Sequence, residues 1–107
     1  MKQDHQLADL LLAIEAEMRR IALWEDQRPA AEALQSLMPF CHDRLYFHQW
    51  LQWVFLPRMK QVLESGEGMP ASSDIHPLAE YSLAERGDEV AQLLTLIARF
   101  DEFIRGQ

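Results

Sequence analysis

The segment from Tyr46 to Leu63, YFHQWLQWVFLPRMKQVL, is the most aromatic and aliphatic part of this chain of 107 residues. On a helical wheel of about 100° per residue it has one broad apolar arc, which is expected to face a protein core. That arc contains Phe47, Leu51, Val54, Phe55 and Val62. The opposite arc mixes apolar and polar side chains: Tyr46, Gln49, Gln52, Trp53, Leu56, Lys60, Leu63 and Glu64. A helix that is apolar almost all round is either buried on every side or binds a partner.

Pro57 interrupts this pattern because its nitrogen cannot donate a hydrogen bond to the carbonyl of Trp53, so a kink is expected there. On an unbroken wheel Arg58 falls inside the apolar arc. A guanidinium in that position would need a carboxylate or several carbonyls as partners.

The length predicts a single helical domain over residues 1–107. No stretch of the sequence has the length and apolar character of a transmembrane helix, and no secretory signal precedes the first helix. The sequence therefore predicts a cytoplasmic protein without a membrane partner. Its one cysteine, Cys41, cannot form an internal disulfide, which agrees with a reducing compartment.

The net charge of −7 argues against nonspecific binding of nucleic acid. The charge is unevenly distributed, because residues 64–89 carry seven carboxylates and one arginine, whereas residues 40–63 carry three cations and one carboxylate. The central segment is thus locally basic, and a specific contact with phosphate or with an acidic partner is compatible with it.

Two flanking segments have the 3.6-residue period of amphipathic helices. The first is expected over 4–23 with Asp4 as its cap, and the last is expected to follow Asp88 as its cap. Their predicted core stripes are Leu7, Leu10, Leu11, Ile14, Met18 and Ile21, and Val90, Leu93, Leu94, Ile97, Phe100 and Ile104, widened by Leu96 and Phe103.

Short helices are expected after Pro29 and after Pro77, and residues 64–76 form the one long loop. The central helix has two candidate starts, one at Arg44 capped by Asp43 and one nearer Phe47. This pattern predicts an all-α fold, a four-helix up-and-down bundle with short helical segments in the connections.

The sequence contains no local pattern typical of an enzyme or a cofactor site. Cys41, His42 and Asp43 are consecutive and point in different directions, although His48 lies one turn further on. The histidines, cysteine and carboxylates lack the spacing of known metal sites. We therefore predict no catalytic residues, no metal and no cofactor.

The remaining signal is the second apolar face of the central helix, for which two functional interpretations and a structural one stand open. A protein partner would bind to Tyr46, Trp50, Trp53, Leu56 and Lys60, which resemble an interaction hot spot. RNA would instead bind to Arg44, Arg58 and Lys60 beside an aromatic side chain. The structural interpretation is that flanking helices cover this face. A ligand pocket or an enzyme using Cys41, His42 or His48 is a third functional class.

The run PFCHDRLYFHQWLQWVFLPRMKQVLE, with a leucine-rich first helix ending in LW and the later IHPLAEYSL, resembles the YqcC-like family of small bacterial proteins over essentially the whole chain. The resemblance implies a four-helix up-and-down bundle, a domain of unknown function and a bacterial cytoplasmic origin. Members are often encoded beside a tRNA pseudouridine synthase, which implies an accessory role in tRNA modification with that enzyme as a partner. The family has no catalytic residues to transfer, and its pattern positions here are Trp50, Gln52, Trp53, Pro57 and Arg58.

Overall fold

The computed structural model describes residues 2–35, 45–66, 70 and 72–106, and within these ranges every regular element is helical. The elements are α1 (Lys2–Arg20), α2 (Ala31–Leu34), α3 (Phe47–Trp50), a π-helical segment (Leu51–Phe55), α4 (Leu56–Ser65), α5 (His76–Ser82), a 3-10 segment (Ala84–Val90) and α6 (Ala91–Arg105). We call α3, the π-helical segment and α4 together the central helix, since they follow one another without a break. The predicted all-α bundle is confirmed, with α1 packed on α6 and α4, and α5 packed on α6.

The core lies where α1, α6 and the central helix meet. Both predicted stripes are confirmed, because every member is buried except Leu10, Leu94 and Phe103, which are partly exposed. Phe55 contributes most directly from the central helix, since its ring meets that of Phe100 edge-on at 4.9 Å between centroids. Aromatic pairs in this geometry add stability beyond the burial of their surface.

The irregularity predicted at Pro57 takes the form of a π turn just before it. The Leu56 N–H donates to the carbonyl of Leu51, five residues earlier, and Pro57 lies in the first turn of α4. Relative to an α turn, a π turn adds one residue, which rotates everything after it by about 100°.

The straight-wheel positions of Leu56 and Arg58 were therefore wrong. Leu56 is buried in the core with 1% of its surface exposed, and Arg58 is exposed rather than inside the apolar arc. The one-residue shift is the physical reason for both differences.

Two of the predicted helix caps were also wrong. Helix α1 begins at Lys2, so Asp4 lies within its first turn, and α6 begins at Ala91, so Asp88 lies inside the 3-10 segment. The central helix begins at Phe47, the later of the two predicted starts, and the side chain of Gln49 accepts the N–H of Tyr46 at 2.9 Å. Asp43 and Arg44 lie outside the described residues.

Helix α1 ends in a Schellman motif built on an alanine. The Leu23 N–H donates to the carbonyl of Met18 at 2.9 Å, and the Ala22 N–H donates to that of Arg19 at 3.2 Å. Both Leu23 and Met18 are buried, as the hydrophobic contact of this motif requires. The motif places Ala22 at φ 62°, a left-handed conformation that usually belongs to glycine.

Replacing Ala22 with glycine should therefore raise the free energy of unfolding by about 1 kcal/mol, since the left-handed conformation costs alanine about that much. Urea denaturation followed by circular dichroism would measure the change. The matched control is Ala16→Gly, at an exposed position inside α1, which should lower the stability by about 1 kcal/mol. A loss of stability in both variants would contradict the assignment of Ala22 as the strained helix end.

A buried carboxylate on α6 holds the start of α5. Asp101 is 1% exposed, and its two oxygens accept the Ile75 N–H at 3.1 Å, the His76 N–H at 2.8 Å and the Ser73 hydroxyl at 2.6 Å. It therefore does from a distant helix what an N-cap residue normally does locally. Residues 73–76 are pinned against α6 as a result.

Asp101→Ala should lower the free energy of unfolding by about 3 kcal/mol, because it leaves two backbone N–H groups without their charged acceptor. Urea denaturation measures this directly. Glu102→Ala, next to it but exposed, should have almost no effect and serves as the control. Equal effects of the two substitutions would show that the Asp101 hydrogen bonds do not stabilise the fold.

Candidate functional site

The connection between α1 and α2, residues 21–30, crosses the N-terminal half of the central helix and is held there by Gln52. The amide oxygen of Gln52 accepts the Glu25 N–H at 2.8 Å, and its amide nitrogen donates to the Glu25 carbonyl at 2.7 Å. Gln52 is buried, although the wheel placed it on the more polar arc. Its two hydrogen bonds satisfy both backbone groups of Glu25 and make the burial of its own amide tolerable.

The side chain of Glu25 makes a second set of contacts with the same helix. Its carboxylate lies 3.1 Å from Nε2 of His48 and accepts a hydrogen bond from the amide of Gln49 at 3.2 Å. We call Glu25, His48, Gln49 and Gln52 the Glu25 junction. The junction joins the connection to three residues in the first two turns of the central helix, which fixes the orientation of both.

Aromatic side chains flank the junction on either side. The ring of Tyr46 stacks on His48, with centroids 6.1 Å apart and planes inclined by 9°, and the tyrosine is 75% exposed. Trp53 is partly exposed on the other side, with the guanidinium carbon of Arg28 6.0 Å from its ring centroid. The indole Nε1 of Trp53 is enclosed and meets no acceptor among the described residues.

The five residues predicted to bind a protein partner differ in how exposed they are. Trp50 and Leu56 belong to the core. Tyr46, Trp53 and Lys60 remain accessible, and Nζ of Lys60 lies 3.4 Å from a carboxylate oxygen of Glu15 on α1. Flanking helices thus cover part of the second apolar face and leave part of it at the surface. The binding role of these residues stays a prediction.

The residues predicted for RNA binding, and those predicted for a ligand pocket or an enzyme, also differ in their surroundings. Arg58 is exposed and forms no ion pair within the described part of the chain, whereas Lys60 is paired. Arg44 and the Cys41–His42–Asp43 run lie outside the described residues. His48, which was considered with that run, is engaged with Glu25.

Over the described ranges, His, Cys, Asp and Glu side chains form no group of three or more that could hold a metal. None of the described helices has the length and apolar character needed to cross a membrane.

Sequence reasoning missed Glu25 and Arg28, and it missed the inward role of Gln52. No local signal could have found them, because the junction pairs residues 23 to 27 positions apart. The aromatic content of the central helix indicated a binding surface but not which part of it stays accessible.

One ion pair near the end of α1 carries a shifted pKa. Arg20 donates from Nε to Glu17 at 2.8 Å, and this hydrogen bond lowers the pKa of Glu17 from its ordinary value of 4.5, against the opposing effect of burial. Glu17 is buried, and the pair lies just before the connection that crosses the central helix. A lowered pKa in the folded state means that ionised Glu17 stabilises the fold.

The stabilisation from Glu17 should be fully present above pH 4.5 and disappear as the pH falls through the lowered pKa. The wild-type chain should therefore be more stable than Glu17→Gln at neutral pH, and the difference should shrink in acid. Urea denaturation over a pH series measures it, with Glu64→Gln at an exposed position as the control. A difference that does not depend on pH would contradict the role of the ionised carboxylate.

The fold and surface define a small all-α bundle whose one dense aromatic helix is partly covered by a hydrogen-bonded connection. The chain belongs to the YqcC-like family, since the family model described as "DUF446: tRNA pseudouridine synthase C" matches residues 6–103. An uncharacterized protein of Haemophilus influenzae is 39% identical over 98 residues, which is 92% of each chain. The uncharacterized protein YqcC of Escherichia coli is 31% identical over 91 residues, covering 85% of this chain and 84% of that protein.

The same fold is found in a solved structure. The solution NMR structure of Escherichia coli YqcC matches with a TM-score of 0.87 at 28% identity, covering all of this chain and 92% of that one. The family resemblance read from the sequence is thereby confirmed.

A third relative is much longer than this chain. The protein named tRNA pseudouridine synthase C from Pectobacterium carotovorum is 39% identical over 72 residues, which is 67% of this chain and 19% of that protein.

Proposed function

We propose that the chain is a non-enzymatic interaction module that assists a tRNA-modifying enzyme, with a tRNA pseudouridine synthase as its partner. The observation that carries this proposal is the Pectobacterium relative, in which a segment similar to two thirds of this chain makes up 19% of a protein named tRNA pseudouridine synthase C. A module joined to an enzyme in one polypeptide is held near it at high effective concentration. Where the two are separate chains, a docking surface has to replace the covalent link. In this proposal the chain acts as a single domain in the bacterial cytoplasm, where tRNA is modified.

The docking surface in this proposal consists of Tyr46, Trp53 and Lys60, and we include Arg28 because its guanidinium carbon lies 6.0 Å from the ring centroid of Trp53. Tyrosine, tryptophan and arginine are the side chains most often found at interaction hot spots. Tyrosine and tryptophan bury much area for few rotatable bonds, and arginine offers a planar group with five hydrogen-bond donors. Trp50 and Leu56 support this surface from the core and do not contact the partner.

The Glu25 junction supports docking by holding the surface in one conformation. It ties the connection that carries Arg28 to the helix turns that carry Tyr46 and Trp53, through hydrogen bonds of 2.7–3.2 Å. Side chains that are already ordered lose less entropy on binding, which favours affinity.

Direct RNA binding through Arg44, Arg58 and Lys60 is the second candidate, and the exposed guanidinium of Arg58 is the observation in its favour. The carboxylates beside the central helix argue against it. Glu15 already pairs with Lys60, and the net charge of −7 repels phosphate at longer range. Protein docking is therefore the better supported function.

The test measures binding of the purified chain to the tRNA pseudouridine synthase of the same bacterium after nuclease treatment. Tyr46→Ala should weaken binding by at least about tenfold, since removing a hot-spot side chain costs more than about 1.4 kcal/mol. Tyr81→Ala is the matched control, because Tyr81 is a tyrosine of similar exposure, 84%, on α5 and is not one of the proposed docking residues. Circular dichroism should show that both variants keep the fold.

Trp53→Ala provides an independent variant, provided that its unfolding curve stays cooperative. Equal binding by Tyr46→Ala, Tyr81→Ala and the wild type would contradict the docking surface. Binding that disappears with nuclease, and falls steeply with salt when tRNA is restored, would support the RNA alternative instead.

A further inference from the structure

A pocket of about 260 Å³ lies beside the central helix, close to α6 and to the chain segment before α5. Its lining includes the aromatic residues Trp50, Phe55 and Phe100, which are at most 9% exposed, and the exposed charged residues Arg58 and Asp74. Apolar pockets with a few placed polar groups are the usual form of small-ligand sites. Its volume is slightly below the range of about 300–1,000 Å³ typical of drug-sized ligands, so its ligand would be smaller.

The two charged residues at this pocket have no ion-pair partner among the described residues. Arg58 and Asp74 are both exposed, and within the described part of the chain neither forms an ion pair with the other or with a third residue. Lys60, only two residues after Arg58, is by contrast paired with Glu15. Opposite charges that share a pocket without neutralising each other are suited to a ligand with a charge of each sign.

Both charged residues are carried on ordered backbone. Arg58 is in the first turn of α4, two residues after the buried Leu56 and one before the buried Met59. Asp74 is between Ser73 and Ile75, both of which are hydrogen-bonded to the buried carboxylate of Asp101. The positions of the two backbone segments are therefore set by the fold, as a specific site requires.

We infer that this pocket binds a small apolar α-amino acid, with a branched or aromatic side chain. The ligand carboxylate would meet the guanidinium of Arg58, its ammonium group would meet the carboxylate of Asp74, and its side chain would contact Trp50 and Phe55. Of small metabolite classes, this is the one that combines an apolar body with two opposite charges on a single carbon. The inference does not depend on the proposed function.

The test is a titration of the isotopically labelled full chain with L-leucine and L-phenylalanine, followed by NMR. The backbone amide of Ile75 and the indole signal of Trp50 should shift in a saturable way. Two analogues of phenylalanine separate the charges: 3-phenylpropionate lacks the ammonium group and phenethylamine lacks the carboxylate. Each should bind at least about tenfold more weakly, because each loses one charge-assisted contact.

The variants provide a crossed check. Arg58→Gln should weaken the binding of L-phenylalanine by about tenfold and leave the binding of phenethylamine, which has no carboxylate, unchanged. Asp74→Asn should also weaken the binding of L-phenylalanine by about tenfold, but it should leave the binding of 3-phenylpropionate, which has no ammonium group, unchanged. Lys60→Gln is the matched control on the same helix and should change neither.

The inference would be overturned by shifts that do not saturate, by analogues that bind as well as the amino acid, or by an equal effect of Lys60→Gln. All three outcomes can be measured on folded protein, because the substituted side chains are exposed and their replacement should not unfold the chain.

Discussion

The missing N–H of Pro57 is the constraint on which the central helix depends. A proline inside a regular α-helix costs about 3 kcal/mol or more, because it removes a hydrogen bond and its ring crowds the preceding turn. Here a π turn comes first, with the Leu56 N–H bonded to the carbonyl of Leu51, so that Pro57 falls in the first turn of a new α-helical segment. The extra residue turns Leu56 and Met59 into the core.

The same segment organises the surface above it. Gln52 lies inside the π-helical segment and is buried, so its amide meets the backbone of Glu25 instead of water. The carboxylate of Glu25 then reaches His48 and Gln49 one turn earlier. A local break in a helix is thus accompanied by a hydrogen-bonded contact with a distant part of the chain, and the aromatic residues on either side of that contact are held in place.

What the sequence predicted well was local and periodic. The stripes of α1 and α6 could be read because each repeats without interruption at the helical period. A kink was predicted at Pro57, but its size was not, so the straight-wheel positions of Leu56 and Arg58 were wrong by the one residue that the π turn adds. Asp101 could not be recognised, since a single aspartate on a helix is usually solvated and its partners lie 25 to 28 residues away. For the same reason the sequence predicted those residues of the candidate surface that lie on the central helix. It did not reveal Glu25 and Arg28, which lie on the connection between α1 and α2.

The central helix carries both the proposed docking surface and the pocket. This arrangement decides which substitutions can test binding without also changing the stability of the fold. Trp50 and Phe55 line the pocket and also belong to the core, so a substitution at either changes stability and binding together. The exposed residues Tyr46, Arg58 and Lys60 can be changed without opening a cavity. In a chain of this size most of the aromatic residues are needed for folding, and only the few at the surface distinguish a binding function from the stability of the bundle.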